Sequence, residues 1–266
     1  MFDLKATHNP HRWYLKVERN LCTGPEHRQF LFGGIGMAAS IQAMEQTCGR
    51  PVIWATAQYL SFALPGRIVD LDVVVPVAGK QTTQANVLLH IDDQKIIAVQ
   101  AALGARDHPV QDQWVAMPQV PAPDKCEEAN YWRGDGTGLN ARLEIRVAHG
   151  RFHGDRSISQ RGDGRLVFWL RSREGQGVNS SMLAIAADYV ASAIAGATGL
   201  HAGGNSLDNT IRFGRIVPCE WILCDVQIES LTHGIVHGRM HLYSPDGVLM
   251  ATAGQSMIMR VHAAAD

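Results

Sequence analysis

The chain has 266 residues, of which 46% are hydrophobic and 18% are charged, so it can bury a substantial core and is not disordered by composition. Its 24 basic and 25 acidic residues give a formal charge of −1. Because this balance leaves no excess of positive charge to displace counterions, nucleic acid is excluded as the main partner.

The first half of the sequence predicts a strand, an apolar helix and then four further strands. The helix begins at Gly33-Gly34, is rich in alanine and stops at Gly49, the residue type that most often ends a helix. Asp92-Asp93 marks a hairpin turn between the last two strands. The predicted strands lie at 12–19, 53–62, 68–77, 80–90 and 94–103.

The second half repeats this plan. Two strand-like runs precede an apolar helix from Met182 to Ile194 that stops near Gly199, and four strand-like runs follow it. These runs lie at 140–148, 165–171, 206–213, 221–231, 234–243 and 248–259. Because the elements come in the same order, with Phe62 and Phe213 151 residues apart, the sequence predicts an internal duplication.

A helix that is hydrophobic on every face must be buried, so each sheet is expected to curl around its helix. The sequence therefore predicts an α+β protein with a double hotdog fold, in which two curved antiparallel sheets each wrap around a central apolar helix. We expect an N-terminal hotdog domain at 1–106, a proline-containing linker or covering strap at 107–130, and a C-terminal hotdog domain at 131–266 that carries the active site.

Several classes of protein are disfavoured by what the sequence lacks. The amino terminus has no apolar segment typical of a signal peptide, and the most apolar stretch, 182–197, is interrupted by Asp188. The five cysteines form no CxxC pair and no finger-like spacing, and no G-x-S-x-G motif is present. We therefore expect a soluble cytoplasmic protein without a metal site, a cofactor or a membrane partner.

Three polar residues of the second half are candidates for chemistry. Asp188 lies within the apolar helix, and a buried carboxylate must be hydrogen-bonded or face a cavity. Gln255 lies in an apolar last strand, where its amide can orient a water molecule, and Ser206 opens a strand after a glycine-rich turn. Each residue could instead have a structural role. Asp188 could be hydrogen-bonded to a neighbouring strand, Gln255 could pair with backbone groups, and Ser206 could stabilise the turn.

Three motifs carry a family resemblance. They are Phe32-Gly33-Gly34 at the start of the first helix, Ser206-Leu207-Asp208-Asn209 leading to Phe213, and Asp246-Gly247-Val248-Leu249-Met250-Ala251 running into Gln255 and Arg260. Together they resemble the acyl-CoA thioesterase II, or TesB-like, family over nearly the whole chain. Members hydrolyse acyl-CoA with an Asp, a Thr or Ser, and a Gln that together hold a water molecule. The family's Asp-His and Phe-His pairs read Asp208-Asn209 and Phe213-Gly214 here.

The resemblance assigns the catalytic roles to Asp188, Ser206 and Gln255, with serine in place of the more usual threonine. Asp188 would accept a proton from water as general base, while Ser206 and Gln255 fix that water. Gly33 and Gly34 are the candidate substrate-binding residues, because backbone N–H groups at a helix start can hold an oxyanion. The expected partner is a small molecule, acyl-CoA, and assembly into a homo-oligomer stays open.

Two other functions stay open from the sequence. A hotdog hydratase or dehydratase would act on an enoyl or 3-hydroxyacyl thioester, but it needs a carboxylate–histidine pair, and neither predicted helix contains a histidine. A non-catalytic acyl-CoA binding protein is compatible with the missing family histidines. Thiol release from acyl-CoA separates hydrolysis from both alternatives.

The predicted catalytic residues have no polar counterparts in the first half. Aligning the halves by their glycine stops pairs Asp188 with Ala38. Aligning them by their phenylalanines pairs Ser206 with Ala55, and aligning them by their closing arginines pairs Gln255 with Ala101. We therefore expect one catalytic centre per chain, with the first half serving as scaffold and as a wall of the acyl tunnel.

Overall fold

The computed structural model describes residues 1–129, 137–152 and 160–262. The first half contains β1 (Leu4–Ala6), β2 (Arg12–Lys16), β3 (Cys22–Thr23), β4 (Phe30–Leu31), α1 (Gly33–Cys48), β5 (Val52–Tyr59), β6 (Ile68–Ala78), β7 (Thr82–Ile91) and β8 (Gln94–Gly104). The second half contains β9 (Glu127–Glu128), β10 (Leu143–His149), β11 (Arg165–Ser172), α2 (Ser180–Ala187), α3 (Ile194–Thr198), β12 (Ala202–Phe213), β13 (Ile222–Thr232), β14 (Ile235–Tyr243) and β15 (Leu249–Val261).

Thirteen of these strands form one antiparallel sheet. Its order is β1-β2-β6-β7-β8-β5-β12-β15-β14-β13-β11-β10-β9, while β3 and β4 pair separately. The strands of the first half therefore lie on one side of the β5–β12 pair and those of the second half on the other. The predicted strand runs and their order along the chain agree with these elements, with shifts of a few residues at the ends.

Each half of the sheet packs on its own apolar helix. Helix α1 contacts β5 to β8 and is buried at nearly every position from Gly34 to Met44, while α2 packs against α1 and against strands β12 to β15. The segment Ser180–Thr198 has the length and hydropathy of a membrane span, but most of it is buried within the fold, as a core helix is. The α+β double hotdog architecture predicted from the sequence is confirmed.

The two halves meet at a pseudo-two-fold axis that passes between Thr56 and Thr210. These residues are direct partners in the β5–β12 pair, and their hydroxyl oxygens lie 3.0 Å apart. Thr56 also pairs with Gln100 on β8, and Thr210 pairs with Gly254 on β15, so the registers coincide when 154 is added to each number of the first half. Corresponding registers of this kind support the predicted duplication.

This register corrects part of the sequence alignment of the halves. It pairs Phe213 with Tyr59 rather than with Phe62, and it pairs Ser206 with Val52 rather than with Ala55. The reason is that the phenylalanine spacing of 151 and the strand register of 154 differ by three residues. Gln255 keeps its predicted counterpart, Ala101.

Both inner strands also carry a β-bulge at the same place. On β5 the register shifts between Val52 and Trp54, and on β12 it shifts between Ser206 and Asp208. An extra residue in a strand reverses which face the following side chains take. On β12 the bulge at Leu207 therefore lets Ser206 and Asn209, three residues apart, both face the helices.

The proline-containing segment lies against the outer face of the second half. Tyr243 donates a hydrogen bond from its hydroxyl to the carbonyl of Ala116 at 3.2 Å, and the indole N–H of Trp169 donates to the carbonyl of Pro121 at 2.9 Å. Residues of this segment complete a small apolar cluster around Trp169 and Tyr243. The described part of 107–130 is thus a covering strap, and the predicted domain boundary at 130 and 131 lies outside the described residues.

Replacing Trp169 by phenylalanine should loosen the strap. Trp169 is 3% exposed, and losing its indole N–H leaves the Pro121 carbonyl without its donor, so we expect a loss of about 1–3 kcal/mol in unfolding free energy. Urea denaturation measures this loss, and faster tryptic cleavage after Arg106 or Lys125 should accompany it. The control is Trp114→Phe, since Trp114 is 87% exposed and should be neutral. Equal effects of the two variants would contradict this account of the strap.

Candidate active site

Asp188 lies at the end of a helix, not within one. Helix α2 ends at Ala187, Asp188 is its C-terminal cap with φ −86° and ψ 7°, and a 3₁₀ turn at Val190–Ala193 leads into α3. The predicted continuous helix over 182–194 is therefore wrong, because the chain turns at Asp188. The carboxylate is 7% exposed and points toward the first half of the molecule, where it meets the start of α1.

The three predicted catalytic residues come together around this carboxylate. Asp188 Oδ1 accepts a hydrogen bond from Gln255 Nε2 at 2.6 Å, and the same nitrogen lies 2.8 Å from Ser206 Oγ. Asn209 Nδ2 is 3.5 Å from Asp188 Oδ1, at the limit of hydrogen-bond distance. Asn209 and Gln255 are direct partners on neighbouring strands, which places both amides on the inner face of the sheet.

The start of α1 approaches Asp188 closely because its first two residues are glycines. Gly34 donates its backbone N–H to Asp188 Oδ2 at 2.7 Å. A Cβ on Gly33 would lie 2.9 Å from Asp188 Oδ2, closer than real Cβ atoms come to their neighbours, and a Cβ on Gly34 would lie 3.0 Å from the Asp188 Cβ, tighter than nearly all real Cβ contacts. Since the N–H of Gly34 is directed at the carboxylate, it is not free to hold an oxyanion, and a substrate contact at half-buried Gly33 stays a prediction.

Burial dominates the electrostatics of the carboxylate. Desolvation raises the pKa of Asp188 from 3.8 to about 6, against the hydrogen bonds from Gly34, Gln255, Asn209 and Ser206, which lower it. The start of α1 is the positive end of a helix dipole and favours the charged form, whereas the end of α2 disfavours it. Asp188 is therefore a stronger base than an ordinary aspartate and is still mostly ionised at neutral pH.

Unpartnered polar atoms cluster at the same place. Among the described residues, four buried side-chain atoms lack a hydrogen-bond partner, and three of them belong to Tyr59, Asn209 and Gln255. They are Tyr59 Oη, Asn209 Oδ1 and Gln255 Oε1. Buried polar groups are nearly always paired, so such a cluster marks a place where a polar ligand or water is received.

Two members of this cluster are not predicted from the sequence. Asn209 stands out there only as a departure from the family pattern, and Tyr59 gives no signal because an aromatic residue is common in a strand. Asp188 is conspicuous in the sequence because its neighbours are apolar. The position of Tyr59 near Asp188 depends on the register of strand β5, which the sequence does not reveal. In the described part of the chain, no group of His, Cys, Asp or Glu side chains has the arrangement of a metal site.

The fold and the cluster define the class of protein: a double hotdog with a buried carboxylate held at the junction of its central helices. A family model for the acyl-CoA thioesterase C-terminal domain matches residues 123–259, more than half of the chain. The chain belongs to the TesB-like acyl-CoA thioesterase family and is a thioesterase.

Solved structures share this fold. An inferred thioesterase from Novosphingobium aromaticivorans shares 32% sequence identity with this chain and superimposes with a TM-score of 0.87. The match covers 96% of this chain and 97% of that protein. A hot dog fold protein of unknown function from Alicyclobacillus acidocaldarius is 16% identical over 98% of this chain and 97% of its own, with a TM-score of 0.83. Acyl-CoA thioesterase II from Mycobacterium marinum is 18% identical, with a TM-score of 0.75, and the match covers 99% of this chain and 98% of that protein. No curated protein matches the sequence significantly.

The burial of Asp188 should be visible in the pH dependence of stability. Because its pKa is raised on folding, the stability it contributes is complete below about pH 4 and is lost as the pH rises through about 6. Asp188→Asn does not titrate, so its unfolding free energy relative to the parent should rise by about 2 kcal/mol from about pH 4.5 to about pH 7.5.

Urea denaturation of the parent and the variant at both pH values measures this shift. The control is Asp93→Asn, which makes the same substitution at an exposed position. A pH-independent difference for Asp188→Asn would show that the carboxylate is not held in a desolvated site.

Proposed function

We propose that this thioesterase hydrolyses acyl-CoA to a free acid and CoA with one water molecule that Asp188 activates. The observation that carries the proposal is the hydrogen-bonded group of Asp188, Ser206 and Gln255, which is largely buried and includes the unpartnered acceptor Gln255 Oε1. A thioester carbonyl needs an activated water and a donor for the developing oxyanion, and it needs neither a covalent nucleophile nor a metal.

Each residue has a distinct part in this reaction. Asp188 takes a proton from the attacking water, and its raised pKa brings its basicity toward the working pH, where a general base is most effective. Gln255 holds the Asp188 carboxylate through its N–H group and presents its carbonyl oxygen to the water. The Ser206 hydroxyl accepts from Gln255 Nε2 and lies beside the Asp188 carboxylate, where it can help to orient the water.

The alternatives from the sequence are less well supported. Membership of the thioesterase family favours a catalytic protein over a non-catalytic binder. Hydratase chemistry would need a histidine beside the carboxylate, whereas the side chains that contact Asp188 in the described residues are amides and a hydroxyl. Hydrolysis by an Asp-activated water is the function that the cluster supports best.

The first kinetic prediction concerns the base. Asp188→Asn should lower kcat by about 10²–10⁴-fold and leave KM nearly unchanged, because the amide is isosteric but cannot accept the proton of water. In the parent, kcat/KM should rise with pH through about 6 and then level off, since only the ionised carboxylate acts as base. Release of CoA, followed with a thiol reagent, measures both, and Asp93→Asn is the control. Activity within threefold of the parent would remove Asp188 from this role.

The second kinetic prediction concerns the hydroxyl. Ser206→Thr should keep or raise the turnover, because threonine retains the hydroxyl and its methyl group restricts χ1. Ser206→Ala should lower kcat by about tenfold or more, since the water loses one of the groups that orient it. Ser230→Ala, in an exposed part of β13, controls for removal of a serine hydroxyl. Full activity of Ser206→Ala would show that the hydroxyl has a structural role only.

A further inference from the structure

The proposed reaction leaves one buried titratable group next to Asp188 without a role. Tyr59 ends strand β5 of the first half, its hydroxyl is buried, and no hydrogen bond of ordinary geometry satisfies it. Desolvation, together with the charge of Asp188, raises the pKa of Tyr59 well above its usual value, although the nearby Asn209 side chain lowers it in part. The hydroxyl is therefore a protonated donor over the whole neutral pH range.

The position of Tyr59 suits contact with a substrate. A Cβ on Gly33 would lie 2.8 Å from Tyr59 Cε1 and 3.1 Å from Cζ, the carbon that carries the hydroxyl. Gly33, Tyr59 and Ser206 are partly exposed, whereas Asp188 and Gln255 are buried. A substrate that approaches Asp188 from the side of these partly exposed residues would meet the Tyr59 side chain, whose hydroxyl is buried near the carboxylate.

The reaction also needs a donor to the carbonyl oxygen of the thioester, and the amides that surround Asp188 do not supply it. The N–H of Gly34 and the amides of Gln255 and Asn209 are all directed at the Asp188 carboxylate. They stabilise the base and are not free for the carbonyl oxygen of a thioester. The Tyr59 hydroxyl is a donor in the cluster that is not engaged in this way.

The duplication gives an independent argument. The strand register pairs each polar residue of the site with an apolar residue of the other half: Ser206 with Val52, Asn209 with Ala55, Gln255 with Ala101, and Tyr59 with Phe213. Tyrosine and phenylalanine differ by the hydroxyl alone. The Tyr59 hydroxyl is present on the side of the pseudo-two-fold axis where Asp188 lies, and Phe213 lacks it on the opposite side. The three polar side chains of the second half follow the same pattern.

We propose that Tyr59 is a catalytic residue whose hydroxyl donates a hydrogen bond to the thioester carbonyl oxygen as it becomes an oxyanion, an inference that rests on the proposed hydrolysis. The water oxygen bonds to the carbonyl carbon, its proton passes to Asp188, and the carbonyl π electrons move to the oxygen that Tyr59 holds. When the C=O bond re-forms, the C–S bond breaks and the CoA sulfur takes the proton from Asp188. One water is consumed, and one acid and one thiol are formed.

Tyr59→Phe tests this role, because it removes the hydroxyl and keeps the ring. We expect kcat to fall by about 10²-fold, the usual effect of losing one oxyanion donor, with KM nearly unchanged. The melting temperature should stay the same or rise, since a buried hydroxyl without a partner is removed. The matched control is Tyr243→Phe, which removes a buried hydroxyl that does have a partner, the Ala116 carbonyl. That control should lose stability and keep its kcat.

Two acyl-CoA analogues localise the contact. A trifluoromethyl ketone analogue forms a tetrahedral adduct with water that resembles the oxyanion, whereas a thioether analogue has no carbonyl oxygen. Tyr59→Phe should weaken binding of the ketone by about the factor lost in kcat and leave thioether binding unchanged. A kcat within threefold of the parent, or equal weakening of both analogues, would overturn the role of Tyr59.

The proposed hydrolysis can fail separately from this inference. If Asp188→Asn is inactive while Tyr59→Phe turns over at the parental rate, the water-activating group stands and the role of Tyr59 is wrong. If Asp188→Asn keeps its activity, the proposed mechanism is wrong whatever Tyr59 does. In Tyr59→Phe, the rise of kcat/KM through about pH 6 should persist, because the base is intact.

Discussion

The hydrogen bond from the Gly34 N–H to the Asp188 carboxylate is the contact on which the rest of the site depends. It joins the start of the first central helix to the end of the second across 154 residues of sequence. It requires two glycines in a row, because a Cβ on either one would crowd Asp188 or the aromatic side chains beside it. The carboxylate is thus fixed by both halves, although the predicted catalytic side chains all come from the second half.

Fixing the carboxylate in this way has two opposing effects on its chemistry. Desolvation makes Asp188 more basic, and the hydrogen bonds from Gly34 and Gln255 limit the rise in its pKa. Without those bonds the pKa of the buried carboxyl would be higher still, and less of it would be ionised at neutral pH. Burial and hydrogen bonding therefore set the basicity of Asp188 together.

Much of the fold could be predicted from the sequence, because alternating strands, alanine-rich helices and glycine stops are local signals. Asp188 was identified as well, since a carboxylate in an apolar segment is conspicuous. What the sequence did not reveal depends on long-range pairing. The helix ends at Asp188 because that residue turns toward Gly34, and the bulge at Leu207 that places Ser206 and Asn209 on one face is a property of strand pairing, which propensity does not encode. Tyr59 belongs to the cluster only through the same pairing.

The strand register of the two halves shows why the described residues hold such a cluster on one side of the pseudo-two-fold axis only. A second cluster would place another partly satisfied set of buried polar groups in the same core, and each buried group without a partner costs about 1–3 kcal/mol. Across the pseudo-two-fold axis, the positions equivalent to Ser206, Asn209 and Gln255 hold valine and alanines, which pack without that cost. The half without the carboxylate still supplies Gly34 and Tyr59. At these positions the first half is therefore packed with apolar side chains, while its helix start and its strand β5 contribute to the cluster around Asp188.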